Sequence, residues 1–77
     1  MAATLANVHI LPDFDGGWFV CRAGRTLTHH KTQADAMQAG RRIARRHRVE
    51  LVTWGVDGRI RSKDSYGNEG PARDTEH

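Results

Sequence analysis

The side chains with the clearest chemical capacity in this sequence are arginines clustered in one short stretch. Residues 40–48 read GRRIARRHR and contain five arginines and no acid. A planar guanidinium group bonds two oxygens of a phosphate at once, so the cluster is suited to nucleic acid or to another polyanion. On a helical wheel these arginines lie opposite or beside the apolar stripe, which predicts a continuous cationic surface. They are Arg41, Arg42, Arg45, Arg46 and Arg48.

A second basic group, formed by Arg59, Arg61 and Lys63, follows in the last hairpin that the sequence predicts. Both groups together would contact mainly phosphates, and such binding weakens steeply as salt rises. The alternative is that the arginines keep a small basic domain in solution and favour helix formation. Like charges three or four residues apart destabilise a helix by roughly 0.2–0.5 kcal/mol per pair, which mildly favours a functional use.

The five histidines do not have the spacing of a metal site. His29 and His30 are adjacent on a predicted strand and therefore point to opposite faces. No two histidines have the spacing that metal-binding helices use, and Cys21 is the only cysteine. His47 is explained by its favourable interaction with the negative end of the helix dipole. We therefore expect no metal and no cofactor.

The candidate nucleophiles have no accompanying catalytic motif. Cys21 lies in a predicted strand, and Ser62 and Ser65 lie in hairpin and turn segments without a glycine-framed nucleophile elbow. Gly16 and Gly17 lead into a strand rather than a helix, so they do not form a phosphate-cradling loop. The aspartates fall mainly in turns, where carboxylates bond the backbone. We expect neither enzymatic activity nor a small-molecule substrate.

Length and composition limit the sequence to one small domain. Its 77 residues are 38% hydrophobic and 27% charged, with a net charge of +3, and a chain of this size has a thin core. No apolar run reaches the roughly 20 residues that a bilayer requires, and the N-terminus lacks the pattern of a signal peptide. We expect a cytoplasmic protein without a membrane partner.

Hydrophobic periodicity predicts five strands and one helix. Tight turns between the first three strands indicate an antiparallel meander. Thr32 is a suitable N-cap for the helix, and Asp57-Gly58 is a strong signal for the last hairpin. The strands are predicted at residues 8–11, 18–22, 25–30, 49–54 and 59–63, and the helix at residues 33–48.

The predicted helix has one apolar side made largely of small residues. An amphipathic helix on one face of an antiparallel sheet covers the apolar side of both elements. We therefore predict a two-layer α+β domain, in the order β-β-β-α-β-β, over residues 8–68. Residues 1–7 would be a flexible N-terminus, and residues 69–77 a disordered tail. The positions on the apolar side are Ala36, Met37, Gly40, Ile43, Ala44 and His47.

Neighbouring aromatic residues of the second strand must face opposite ways. Trp18 shares one face with Val20, and Phe19 shares the other with Cys21. The ring that the helix does not cover marks the open sheet face as a candidate surface for nucleic-acid bases or for a second copy of the chain. Otherwise this ring is covered by the loop and the tail.

Several short motifs occur together in this chain. They are Gly17-Trp18 with Val20, Thr32 with Ala34-Asp35-Ala36, Ala39-Gly40-Arg41, Ala44-Arg45, Glu50-Leu51-Val52, Asp57-Gly58-Arg59-Ile60 and Asp64-Ser65-Tyr66-Gly67. The combined pattern resembles a family of short bacterial proteins that is catalogued as a domain of unknown function. The resemblance covers about residues 8–68 and implies a β-rich sheet with one helix, a bacterial or phage source and no known activity. It transfers no catalytic or binding residue, and the acid-free arginine stretch departs from the family, whose helix more often mixes acids with bases.

The sequence thus favours a small non-catalytic domain that binds DNA or RNA through the arginine face of the helix and the basic hairpin, with weak sequence specificity. The alternative is a protein-interaction or self-associating module, such as a homodimer, that uses the open sheet face or an edge strand. Under the first hypothesis, the arginines supply the affinity for nucleic acid. The second requires affinity to reside in Trp18 or Phe19 and to depend little on salt.

Overall fold

The structure is a computed structural model that describes residues 6–66. Its elements follow the predicted order, with every boundary within two residues of the prediction, and the α+β class is confirmed. The predictions of a flexible N-terminus and of a disordered tail fall mainly on residues 1–5 and 67–77, which lie outside the described residues. The elements are β1 (Val8–Pro12), β2 (Trp18–Arg22), β3 (Arg25–His30), α1 (Gln33–His47), β4 (Glu50–Trp54) and β5 (Ile60–Ser65).

The strands form one mixed sheet in the order β3-β2-β1-β4-β5. The central strand β1 pairs antiparallel with β2 but parallel with β4, and Val8 lies opposite Leu51 in the parallel pair. The prediction of an antiparallel sheet is therefore wrong at the centre of the sheet. The reason is the connection: α1 runs back along the sheet and returns the chain to the end where β1 begins, so β4 enters in the same direction as β1.

Short turns with defined backbone geometry join the antiparallel strands. Between β2 and β3, Ala23 and Gly24 have φ angles of +54° and +77°, which is the combination that a type I′ hairpin turn requires. Between β4 and β5, Gly55 N donates to Arg59 O at 2.7 Å, and Arg59 N donates to Asp57 Oδ1 at 3.1 Å. The turn predicted at Asp57-Gly58 is confirmed, whereas Arg59, predicted as the first residue of the last strand, lies in the turn.

The ends of α1 are fixed by local hydrogen bonds. Thr32 Oγ1 accepts from Asp35 N at 3.1 Å, which confirms Thr32 as the N-cap. Arg48 ends the helix in the left-handed conformation, and Val49 N then donates to Ala44 O at 3.0 Å. This is the Schellman arrangement, which satisfies carbonyls of the last turn and directs the chain into β4.

The core lies between α1 and strands β1, β2 and β4. Gly40 is the point of closest approach, because a Cβ atom there would lie 2.7 Å from Ile10 Cδ1 and 2.9 Å from Leu51 Cδ1. Only a residue without a side chain lets the helix lie this close to the sheet. The buried core residues are Val8, Ile10, Val20, Ala36, Ala44, Val49 and Leu51.

Replacing Gly40 with alanine is expected to lower the free energy of unfolding by about 1–3 kcal/mol through overpacking. This loss occurs although alanine favours a helix over glycine by about 1 kcal/mol. The neighbouring methyl groups cannot move aside easily, because Ile10 and Leu51 are fully buried. Urea unfolding followed by far-UV circular dichroism measures the change.

The second variant for this test is Ile10→Val, which removes the Cδ1 atom nearest to the new methyl group. Alone it is expected to cost about 0.5–1.5 kcal/mol. Combined with Gly40→Ala it should restore part of the lost stability, so the two changes are not additive. A Gly40→Ala protein as stable as the wild type, or full additivity of the two losses, would contradict a tight contact at Gly40.

Candidate functional site

The arginine surface consists of Arg41, Arg42, Arg45, Arg46 and Arg48, and it covers the C-terminal half of α1. All except Arg41 are exposed, and Arg41 is half-buried at the border of the packed side. The buried helix residues are spaced four apart and lie on the opposite side. Packing therefore uses one side of the helix and leaves the cations facing solvent, as the periodicity predicts.

The second predicted basic group does not adjoin the arginine surface. Arg59 lies in the β4–β5 turn, and Arg61 Nη1 donates to Gln33 Oε1 at 3.4 Å beside the start of α1. Lys63 lies opposite Val52, on the face of the sheet that α1 leaves uncovered. Because α1 begins at one end of the sheet and its arginines lie towards the other, the two basic groups are separate positions on the molecule.

Sequence reasoning missed two arginines at the end of the sheet where α1 ends. Arg22 closes β2 and Arg25 opens β3, and Arg22 pairs with Val8 at the start of β1. The same end holds the start of β4, since Leu51 is the parallel partner of Val8. Arg22 Nε also donates to Ala6 O at 2.9 Å. No local signal could place this turn beside the end of the helix, because its position depends on the strand order.

Among residues 6–66, no carboxylate lies within 4.0 Å of a guanidinium group of the arginine surface, although Asp35 borders a shallow depression together with Arg42. In the described residues, the one contact of that length between a basic side chain and a carboxylate joins His29 Nε2 to Asp13 Oδ2, at the opposite end of the sheet. The guanidinium carbon of Arg45 instead lies 5.6 Å from the centre of the Tyr66 ring, a cation–π contact that keeps the full positive charge. The local potential is therefore positive, and bound anions would be favoured.

The shape of this surface is open. Four of its five arginines, all except Arg48, border a shallow depression of about 720 Å³, to which Gln38 and Ile43 also contribute. A depression bordered by long, flexible cations lacks the enclosed apolar walls typical of small-molecule pockets. It suits an extended anion that crosses the surface.

Arg48 holds a backbone position that usually belongs to glycine. Its φ and ψ angles are 57° and 50°, in the left-handed region that costs a side-chain-bearing residue about 1 kcal/mol or more. Glycine would end the helix in this conformation at less cost. The backbone conformation alone would therefore favour glycine at this position, yet the chain has an arginine here.

His29 and Cys21 make structural contacts. His29 Nε2 lies 2.9 Å from Asp13 Oδ2 and 3.2 Å from Gly16 O; both are acceptors, so Nε2 carries a proton and holds the β1–β2 loop in place. Cys21 Sγ lies 3.8 Å from Thr26 Oγ1. Among residues 6–66, no three metal-ligating side chains are grouped. The expected absence of catalysis and of metal stays a prediction.

The described part of the chain contains no helix that is both long enough and apolar enough to cross a membrane.

Replacing Arg42 with glutamine is expected to raise the free energy of unfolding by about 0.5 kcal/mol at low salt. Arg45 and Arg46 are its neighbours three and four residues on, and two like-charge pairs are removed while helix propensity hardly changes. Thermal unfolding in about 20 mM and about 1 M salt measures the effect, which should vanish at high salt because screening is then nearly complete.

The control for this substitution is Arg25→Gln, which removes the same charge from an edge strand and should change stability little. A loss of stability for Arg42→Gln at low salt would show that Arg42 makes a stabilising contact and would contradict the electrostatic picture of the arginine surface.

Comparison with known proteins identifies the family of the chain. A family model described as "Uncharacterized protein conserved in bacteria (DUF2188)" matches residues 8–66, well over half of the sequence and the whole of the folded domain. No curated protein and no solved structure gives a match. The family of unknown function that the sequence motifs resemble is confirmed, and the chain belongs to this bacterial DUF2188 family.

Proposed function

We propose that this domain binds nucleic acid through the arginine surface of α1, mainly by contacts to phosphates and without catalysis. The observation that carries the proposal is the set of five guanidinium groups on one side of the helix end, with no carboxylate within 4.0 Å of them among residues 6–66. Phosphate binding requires cations that the fold holds in place and that no carboxylate neutralises.

The dimensions of the arginine surface fit a nucleic-acid backbone. Arg41 and Arg48 are separated by about 10 Å along the helix axis, and one strand of a duplex carries about three phosphates over that length. Arg22 and Arg25 lie at the same end of the sheet and supply further positive charge there. Within residues 6–66, no further strand or helix beside these cations is placed to contact base edges, so binding would depend weakly on base sequence.

The energetics of the helix end support the same proposal. The arginines form like-charge pairs three and four residues apart, which oppose helix formation at low salt. Arg48 adds the cost of a left-handed backbone at a position that glycine would occupy more favourably. In a helix that serves only solubility, these two features would lower stability without any benefit. In a phosphate-binding surface, both features supply positive charge.

The alternative inferred from the sequence is a protein-interaction module that uses the open sheet face or an edge strand. This alternative concerns the other layer of the domain, since α1 packs on one face of the sheet only. The two proposals are therefore separable by mutation, and both can hold for the same molecule.

The experiment is fluorescence anisotropy of labelled DNA and RNA oligonucleotides at about 50 and about 200 mM salt. Micromolar binding is expected, with a logarithmic salt slope of about −0.9 for each phosphate contact on duplex DNA. The variant with Arg42→Gln, Arg45→Gln and Arg46→Gln should lose at least about tenfold in affinity and should have a shallower slope, since each lost contact removes its share of counterion release.

The matched control carries Arg59→Gln, Arg61→Gln and Lys63→Gln, which removes the same amount of charge from the other basic group. A clearly smaller loss for this control locates the site on α1. Equal losses for both variants would show that net charge alone governs binding, and no binding at low salt would overturn the proposal.

A further inference from the structure

The face of the sheet that α1 leaves uncovered carries a continuous row of apolar and aromatic side chains, one from each strand. Leu11 of the central strand β1 pairs with Phe19 of β2, which pairs with His29 of β3. On the other side of β1, the parallel pairs end at Ile10 and Thr53, so extending this register by one residue sets Trp54 of β4 beside Leu11. Trp54 pairs with Ile60 of β5. We call these five residues the open-face row.

Strand alternation assigns this row to the uncovered face. Ile10, Val20 and Leu51 are fully buried in the core beneath α1, and their sequence neighbours point the opposite way. Within the row, Ile60 is 47% exposed, and Phe19 and Trp54 are half-buried. A contiguous apolar strip on an uncovered face is typical of an interaction surface.

The two large rings of the row are held in place by histidines. The ring of Phe19 meets that of His29 edge-on, with centroids 5.2 Å apart. Trp54 Nε1 donates to His9 Nδ1 at 3.1 Å. Side chains that are already fixed lose little conformational entropy when a partner binds, so the row is pre-organised for contact.

The row is self-complementary about its central strand. Leu11 lies at the middle, with one aromatic residue on the next strand on each side. A two-fold axis along β1 would set Leu11 against Leu11 of a second copy and Phe19 against Trp54 twice, as an isologous interface requires. Phenylalanine and tryptophan rings form favourable offset or edge-on pairs.

Two exposed apolar residues extend the row at the same end of the sheet. Phe14 is fully exposed in the β1–β2 loop, and Val56 is 80% exposed in the β4–β5 turn. Because β1 and β4 are parallel, both hairpins project from the same end. The two-fold axis along β1 would bring the Phe14 loop of one copy towards the Val56 turn of the other.

The charges of this face favour a second copy over a polyanion. On the open side of the described strands, the formal charges are those of Glu50 and Lys63, which have opposite signs, while His29 is paired with Asp13. A polyanion would require one sign of charge, as on the arginine surface. A near-neutral face with an apolar strip suits an identical face.

We propose that the open face is a homodimer interface in which two sheets pack face to face about a two-fold axis along β1. The arginine surfaces of both copies then lie on the outer sides, so this inference does not depend on the proposed function. Five strands of about five residues give a face of about 400 Å² per copy in projection. That is small for a specific interface, so the dimer is expected to be weak, with a Kd in the micromolar range.

Sedimentation equilibrium from about 10 to about 500 μM, the range suited to a micromolar Kd, tests the proposal. The mass should rise with concentration from 8.6 kDa towards twice that value. Leu11→Lys would place two ammonium groups together at the axis and should give a monomer at every concentration, with an unchanged far-UV circular dichroism spectrum. If that variant fails to fold, Phe19→Lys serves the same purpose, because Phe19 is half-buried on the open face.

A mixture of two variants tests the two-fold arrangement itself. Phe19→Lys and Trp54→Glu should each be monomeric, whereas an equimolar mixture should form a heterodimer in which the new lysine faces the new glutamate. Leu27→Lys is the matched control, since Leu27 is 43% exposed on the edge strand β3 but lies outside the row. It should leave the dimer intact.

Several outcomes would overturn the proposal. These are a mass that stays at 8.6 kDa over the whole range, a dimer that survives Leu11→Lys, and a dimer that only Leu27→Lys disrupts, which would indicate edge-strand pairing. A wild-type monomer whose oligonucleotide affinity falls on Leu11→Lys would instead assign the open face to nucleic acid.

Discussion

The close approach of α1 to the sheet at Gly40 is the constraint on which the rest of the structure depends. A core this small contains few large side chains, and the three buried residues of the helix are Ala36, Gly40 and Ala44. Contact between such residues and Ile10 or Leu51 forms only if the helix lies almost directly on the strands. Because dispersion and apolar burial are lost when packed atoms separate, the two layers stay together only at this short distance.

One consequence is that the two outer sides of the domain carry different kinds of side chain. The helix uses mainly small residues and Ile43 for packing, and the exposed long side chains in its second half are nearly all arginines. The sheet places its central aliphatic residues under the helix and therefore sends the alternate residues to the other side. Cations collect on one outer side and apolar groups on the other, which allows two independent binding surfaces in a very small molecule.

On the arginine surface, stability and the proposed function have opposite requirements. The like-charge pairs and the left-handed Arg48 each oppose folding by a modest amount, and the capping hydrogen bonds at Thr32 and Ala44 act against that loss. Membership of the DUF2188 family assigns no activity. The physical case for polyanion binding thus depends on the residues of this chain alone.

Local signals in the sequence determined the elements and their order. The change of period from 2 to 3.6 placed the helix, Thr32 set its start, and paired turn residues set the hairpins, because each depends on neighbours only a few positions away. The arginine surface followed from the same helical period. Tertiary structure alone decided that β4 runs parallel to β1, because this depends on the path of α1 over the sheet. That pairing aligned Leu11 with Trp54 in one row. The return path of α1 from the end of β3 set Arg22 and Arg25 at the arginine end and left Arg59 and Arg61 at the other end of the sheet.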